Sequence, residues 1–262
     1  MTEEGNDLLR ESVRSRYGSI AGTGGSCCGG DSCCGATPDL KEHAEKLGYS
    51  ADDMDLLPEG ADMGLGCGNP HAIANLREGE IVLDLGSGGG LDCFLASPRV
   101  GQAGRVIGVD MTSEMVQKAR SNARNGGYRN VAFRLGEIEH LPVEDSSVDV
   151  ILSNCVINLS PDKESVFNEA FRVLKLGGRL AISDVVAVKP MPAGVKQDPD
   201  TYCGCVGGAA AVSDIERMLF DSGFAEVNVD IKDDSANLIA DWFPGTGYEE
   251  WVRSALITAV KR

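Results

Sequence analysis

The stretch Glu80-Ile-Val-Leu-Asp-Leu-Gly-Ser-Gly-Gly-Gly-Leu-Asp92 decides the fold. Ile81, Val82, Leu83 and Leu85 form a short apolar run broken only by Asp84. Such a run reads as a strand buried on both faces of a parallel sheet. Gly86, Gly88 and Gly90 follow at once, and residues 91–97 read as a helix. Strand, glycine loop and helix in succession bring backbone N–H groups against a nucleotide-like ligand. The spacing is Gly-x-Gly-x-Gly. Leu91 stands where a dinucleotide fingerprint has its third glycine, and no Gly-Lys-Ser/Thr follows, so the loop is neither that fingerprint nor a P-loop. Turns are rich in glycine, so the loop alone leaves an ordinary turn open.

Working outward, residues 105–109 form a second strand and run into Asp110. An α/β nucleotide fold sets a carboxylate there against ribose hydroxyls. Val131–Leu135 reads as a third strand, followed by Gly136, Glu137, Ile138 and Glu139. Residues 148–153 make a fourth strand that continues outward through Asn154 and Cys155, and residues 179–185 make a fifth. The loops fall at the carboxyl ends of successive strands, where open α/β sheets bind ligands. On the glycine loop, Asp110 and the loop at Glu137, residues 77–184 resemble the class I S-adenosylmethionine-dependent methyltransferases. The resemblance implies a Rossmann-like α/β fold, a mainly parallel seven-stranded sheet with helices on both faces, here with a cysteine-bearing substrate cap. It also implies a donor-binding set. Gly86, Gly88 and Gly90 let the backbone approach the methionine part of the donor, and Asp110 takes the ribose hydroxyls. Met111 packs on the adenine, Glu137 and Ile138 edge it, and Asp84 and Asn154 complete the set.

Length and charge bound the other classes. A chain of 262 residues can bury a substantial core. Forty acidic against 24 basic residues give a net charge of −16, which opposes general nucleic-acid binding. No apolar run reaches the length of a membrane span and no signal-peptide core is present, so the expected setting is the cytoplasm, off the membrane, as a monomer. In that compartment nine cysteines point to metal binding, catalysis or redox work rather than structural disulfides.

Along the chain, residues 2–16 form a short helix candidate with Leu8, Leu9 and Val13 on its apolar side. Residues 18–36 are glycine-rich, so a flexible cysteine-rich tail is expected over residues 1–36. It carries Cys27, Cys28, Cys33 and Cys34. These thiols read as an inert tail, as a zinc or soft-metalloid site, or as a dithiol reservoir, and one short segment rarely closes a zinc site. Residues 37–188 form the donor-binding domain with a helical cap, and residues 189–262 a substrate-binding insertion with the closing strands. Ser50 caps a helix over residues 51–57, Thr112 caps one over 112–125, and Gly177-Gly178 ends one over 161–174. Residues 202–209 read as a helix, 213–222 as another, and 224–231 and 254–260 as two antiparallel strands at the sheet edge.

Three separated cysteines remain: Cys67 between two glycines, Cys155 at the end of the fourth strand, and Cys205 after the fifth. Each alone reads equally as packing; Cys93, among Leu91, Phe94 and Leu95, reads as core. All three segments can fold over the carboxyl edge of the sheet. Three thiolates suit a soft centre that takes a pyramidal S₃ arrangement, as trivalent arsenic does. Its lone pair is a nucleophile that needs no base, so catalysis reduces to aiming it at the sulfonium methyl. Leu65-Gly-Cys67-Gly-Asn-Pro70, Ser153-Asn-Cys155-Val-Ile-Asn-Leu159, Cys205-Val-Gly-Gly-Ala209, Val109-Asp-Met-Thr112 and the loop Trp242-Phe-Pro-Gly-Thr-Gly247 together resemble the arsenite methyltransferases. The resemblance implies that Cys67, Cys155 and Cys205 bind As(III) as arsenite or its glutathione conjugate, and that the donor is S-adenosylmethionine. It implies thiol exchange at an N-terminal cysteine, with Cys27, Cys28, Cys33 and Cys34 as relay candidates, and thioredoxin or glutathione as the external reductant. The competing readings are a methyltransferase of an organic small molecule and a metalloid-binding protein without catalysis.

Overall fold

A computed structural model describes residues 3–23 and 40–262. In chain order its elements are α1 (Glu3–Thr23), α2 (Leu40–Lys46), α3 (Ala51–Asp55), α4 (His71–Ala74), β1 (Ile81–Leu85), α5 (Leu91–Val100), β2 (Arg105–Asp110), α6 (Ser113–Asn125), β3 (Val131–Leu135) and β4 (Val148–Asn154). They continue with α7 (Lys163–Val173), β5 (Leu174–Ala187), α8 (Ala193–Gln197), α9 (Pro199–Cys203), β6 (Ala210–Ala211), α10 (Val212–Asp221), β7 (Phe224–Lys232), α11 (Ala236–Trp242) and β8 (Val252–Lys261). The strands pair in the order β3-β2-β1-β4-β5-β8-β7, with the two-residue β6 alongside β5. Every pairing is parallel except those of β8 with β5 and β7. The seven-strand path is the expected sheet; β6 is an addition. The chain runs outward from β1 to β3 and returns at β4 beside β1, so the strand order reverses between β1 and β4. That crevice is where such sheets hold ligands.

Alternation along the strands builds a core on each face of the sheet. Leu83, Leu85, Ile107, Val109, Ile151, Leu180 and Ile182 bury against Phe167, Ile215 and Leu219. Val82, Val106, Val150, Leu152 and Ala181 bury on the other side, against Phe94, Val116 and Ala119. Central parallel strands apolar on both faces need helices on both faces.

Several local expectations change. The 1–36 tail gives way over Glu3–Thr23 to one 21-residue helix, because Val13 and Ile20 extend its apolar face past Gly18 and are buried. Cys27, Cys28, Cys33 and Cys34 lie outside the described residues. Ser50 caps α3 as expected, accepting from Asp53 N. Thr112 gives α6 no side-chain cap, since its hydroxyl bonds the Asp110 carboxylate instead. Gly177 and Gly178 do not stop α7. They lie inside β5, where the register against β4 shifts between Val148 and Val150. The 202–209 helix ends at Cys203; the glycines that follow favour turns, and Cys205 takes a left-handed φ of 66°. β8 is interior between β5 and β7, so of these two late strands it is β7 that lies at an edge.

Candidate active site

A cleft opens at the reversal between β1 and β4. Its walls come from the glycine loop, Asp110 to Thr112 after β2, Ile138 and Glu139 after β3, and Asn154 to Val156 after β4. The segment before α4 adds Asp62 and Gly66, and α1 adds Arg10, Val13 and Tyr17. Gly86 has φ 66°, and a Cβ there would stand 2.3 Å from Val156 Cγ2. Only glycine lets this loop pass under the turn after β4.

Asp110 ties the loop down. Its carboxylate accepts from Gly88 N and Thr112 N, both at 2.9 Å, while burial pushes its pKa up. Asp84 is buried and accepts from Cys93 Sγ at 3.2 Å; burial and the charge of Asp92 hold its pKa well above the carboxylate range. Asp92 accepts from the Tyr49 hydroxyl at 2.8 Å and from Asn154 Nδ2 at 3.3 Å. Asp62, Asp84, Asp92, Asp110 and Glu139 all line the cleft, with Arg10 as its only lining cation among the described residues. Asp62 Oδ2 and Ser87 Oγ are buried there without a hydrogen-bond partner among the described residues. Unsatisfied buried oxygens are costly, so a ligand that donates hydrogen bonds or carries positive charge fits this wall. An ammonium, a sulfonium and ribose hydroxyls together meet that description.

Of the residues expected to bind the donor, Asp84, Gly86, Gly88, Asp110, Met111, Ile138 and Asn154 line the cleft. Gly90 does not; it caps α5, where a Cβ would strike Phe94 at 2.6 Å. Glu137 also stays off the cleft wall, a third exposed and paired with Arg14 at 2.8 Å. Its neighbour Glu139 lines the cleft instead, accepting from Ser160 Oγ at 2.7 Å and Arg10 Nε at 3.3 Å.

The cysteines converge beside the cleft. Asn154 Oδ1 accepts from Cys67 N at 3.0 Å, and Ser183 O accepts from Cys155 N at 2.8 Å. Cys67 and Cys155 thereby meet beside Ser183 of β5, their Cα atoms 5.7 Å apart, and are joined as a disulfide. The expectation against disulfides does not hold at this pair, and the expected three-thiolate set applies to the reduced chain. Compartment argues about cysteines in general, and says nothing against two sulfurs that the fold itself sets side by side. Cys205 is a buried free thiol whose Sγ donates to Cys155 O at 3.0 Å. Burial pushes its pKa well up; the nearby Asp184 adds to the rise and Lys163 opposes it. Cys155 also has a left-handed φ, 56°. A left-handed non-glycine residue costs about 1–2 kcal/mol, so two of them at one site mark a backbone held by its surroundings.

Sequence reasoning missed several groups here. Asp184 on β5 is fully buried, its pKa pushed up to about 6 by burial against the pull of its hydrogen bonds and Lys163. One of its oxygens and the sulfurs of Cys67 and Cys155 all lie within 4.8 Å of one another. Lys163 is half-buried with its pKa lowered to about 8 by desolvation, and its Nζ donates to Ser160 O at 3.0 Å. A signal existed for Asp184: it interrupts an apolar strand as Asp84 does. Tyr17 was legible as the next turn of the face carrying Val13; it donates to Cys203 O at 3.1 Å.

Known proteins share this architecture. A family model described as a methyltransferase domain matches residues 76–225. An arsenite methyltransferase of Halobacterium salinarum is 51% identical over 259 residues, covering 96% of this chain and 66% of the relative. A human arsenite methyltransferase is 39% identical over 168 residues, covering 61% of this chain and 44% of the relative. The chain thus spans less than two thirds of the length of these curated relatives. The crystal structure of an arsenic(III) S-adenosylmethionine methyltransferase from Chlamydomonas reinhardtii superposes with a TM-score of 0.63 at 34% identity, covering 87% of this chain and 75% of that one. With the cleft at the reversal of the sheet and the cysteines gathered at its rim, the chain belongs to the methyltransferase-domain family, among the arsenic(III) S-adenosylmethionine methyltransferases.

Proposed function

We propose that this chain moves the methyl group of S-adenosylmethionine to trivalent arsenic held by Cys67, Cys155 and Cys205. The observation that carries the reading is the convergence of three cysteines, far apart in sequence, on one edge of an acidic nucleoside-sized cleft, with Cys155 lining the cleft itself. The donor supplies an electrophilic methyl on a positively charged sulfur. The acidic wall of Asp62, Asp84 and Asp92 favours that charge, Asp110 takes the ribose hydroxyls, and Met111 and Ile138 pack on the base. Arsenic enters as substrate. Each thiol that binds it gives its proton to a departing hydroxide, which leaves as water. The arsenic lone pair then attacks the methyl carbon in line while the carbon–sulfonium bond breaks and the donor leaves as its neutral thioether, so the chain has to position rather than to deprotonate.

The transfer leaves arsenic formally pentavalent. The bonds from arsenic to Cys67 and Cys155 then break as those sulfurs join, which returns two electrons to arsenic. The trivalent methylarsenic left on Cys205 takes hydroxide from water and a proton is released, and the joined sulfurs are the form they take in this structure. An external dithiol or glutathione, acting in the cytoplasm, then restores the two thiols by exchange. The cysteines at positions 27, 28, 33 and 34 are the proposed relay for that exchange or for receiving arsenic from glutathione.

The test uses reduced protein, labelled donor and arsenite. Methylated arsenic from the parent, with at least about a hundredfold loss in Cys155→Ser, is the expected result. Donor binding without any arsenic product from the parent would sink the reading in favour of an organic acceptor.

A further inference from the structure

Asp184 and Asn158 lie outside the roles given above, yet their side chains join both cysteine-bearing turns. The Asp184 carboxylate is saturated. Oδ2 accepts from Ile157 N at 3.0 Å and Asn158 N at 3.3 Å; Oδ1 accepts from Asn158 Nδ2 at 2.8 Å and Val185 N at 2.8 Å. With all its acceptor sites used, Asp184 is a poor ligand for a metal or metalloid despite standing close to two sulfurs. What it holds instead is the turn Ile157–Leu159, which begins two residues after Cys155. Ser183 O pins Cys155 on one side and Asp184 pins the turn on the other, so the left-handed Cys155 is clamped from both directions.

Asn158 carries the clamp onward. Its Nδ2 also donates to Val185 O at 2.5 Å, which fixes the residue against β5. Its carbonyl faces Gly208 so closely that a Cβ there would stand 2.0 Å from the oxygen. Gly208 lies in the turn Val206–Ala209, closed by Ala209 N donating to Val206 O at 3.1 Å and starting one residue after Cys205, whose Sγ is in turn bonded to Cys155 O. Both left-handed cysteines are therefore registered to one buried pair.

We propose that Asp184 and Asn158 are positioning residues that set Cys205 against Cys155, and that this pair decides whether the metalloid is held by three sulfurs or by two. The inference rests on the S₃ reading of the site. Two sulfurs can grip arsenic through Cys67 and Cys155 alone, but only a third, on a separate turn, fixes the direction of the lone pair toward the donor.

The experiment counts protected thiols. Reduced full chain is loaded with sodium arsenite and alkylated with iodoacetamide, and each cysteine is read by peptide mass. The parent protects Cys67, Cys155 and Cys205. In Asp184→Asn, whose amide turns a donor toward backbone N–H groups, and in Asn158→Ala, Cys205 is alkylated at least about tenfold faster in the arsenite complex. Cys67 and Cys155 stay protected, and calorimetric affinity for S-adenosylmethionine is unchanged. Asn158→Ala leaves three of the four bonds to Asp184, so it answers the question if Asp184→Asn folds poorly. Protection of all three thiols in both variants overturns the proposal and leaves the S₃ site standing. Equal loss at all three overturns it too, because that marks general loosening. A parent that protects none of them defeats the S₃ reading itself.

Discussion

Lys163 shows how much a single half-buried charge asks of this fold. Desolvation lowers its pKa to about 8 from 10.5, so the folded chain disfavours the ammonium by about 3 kcal/mol at neutral pH. Between pH 8 and 10 the unfolded chain still holds the proton that the folded chain has released, so stability rises with pH through that window. Lys163→Met is expected to remove this rise, measured as urea unfolding free energy at pH 7.5 and pH 9.5 in one redox state. Gly86 gives a second test at this scale. Gly86→Ala meets Val156 at 2.3 Å and a φ of 66°, and should weaken donor binding at least about tenfold. Val156→Ala added to it should recover part of that loss, because it removes the two methyl contacts at 2.3 and 2.6 Å and leaves the Val156 Cβ contact at 2.9 Å and the strain. The glycine loop, Asp110 and the three cysteines were legible as residues because their chemistry is unusual at those spacings. Asp184 left only the mark of an acid inside an apolar strand, and Asn158 left none. Each reads as an ordinary polar residue until the fold brings residues 26 apart into one hydrogen bond.

At the scale of elements, α1 is where sequence and structure differ most. Its glycines, Gly18 and Gly22, suggest a break, yet Val13, Tyr17 and Ile20 keep one apolar face at helical spacing. That face packs among Cys67, Cys155, Cys205 and Tyr202. The polar side bridges both halves of the site: Arg10 and Arg14 pair with Glu139 and Glu137 beside the donor cleft, and Arg16 pairs with Asp200 at 2.6 Å on α9. Arg10–Glu139 is largely buried, but the more exposed pairs of Arg14 and Arg16 add little stability individually, so the buried apolar face does most to hold the helix down. Val13→Asp should detach it, at a cost of about 2–5 kcal/mol. Hydrogen exchange should then quicken together in residues 137–139 and 199–203, without change in β7. Exchange confined to α1 would show that the helix covers the site without supporting it. The misread glycines at 177 and 178 have the same origin. A bulge in a long strand and the end of a helix use the same residue, and only the partner strand tells them apart.

Across the whole molecule, a mainly parallel seven-stranded sheet followed from one glycine loop and the family it resembles, while the order of its strands came only with the structure. What the sequence could not convey was the state of the sulfurs. The Cys67–Cys155 bond closes a loop spanning 88 residues. On chain entropy such a link favours the folded state by about 4–5 kcal/mol. Reduction, or Cys67→Ser, is therefore expected to lower the thermal midpoint clearly, and Cys205→Ser much less. The excess of acidic residues adds a long-range component: a cationic donor should bind more weakly as salt rises. No helix among the described residues is long and apolar enough to cross a membrane. The central claim concerns one atom and its neighbours, and arsenic K-edge absorption on the reduced chain loaded with arsenite tests it most directly. The account predicts a shell of three sulfurs and no oxygen, reduced in each of Cys67→Ser, Cys155→Ser and Cys205→Ser. An oxygen shell in the parent, or a sulfur shell that none of the three substitutions alters, would contradict it.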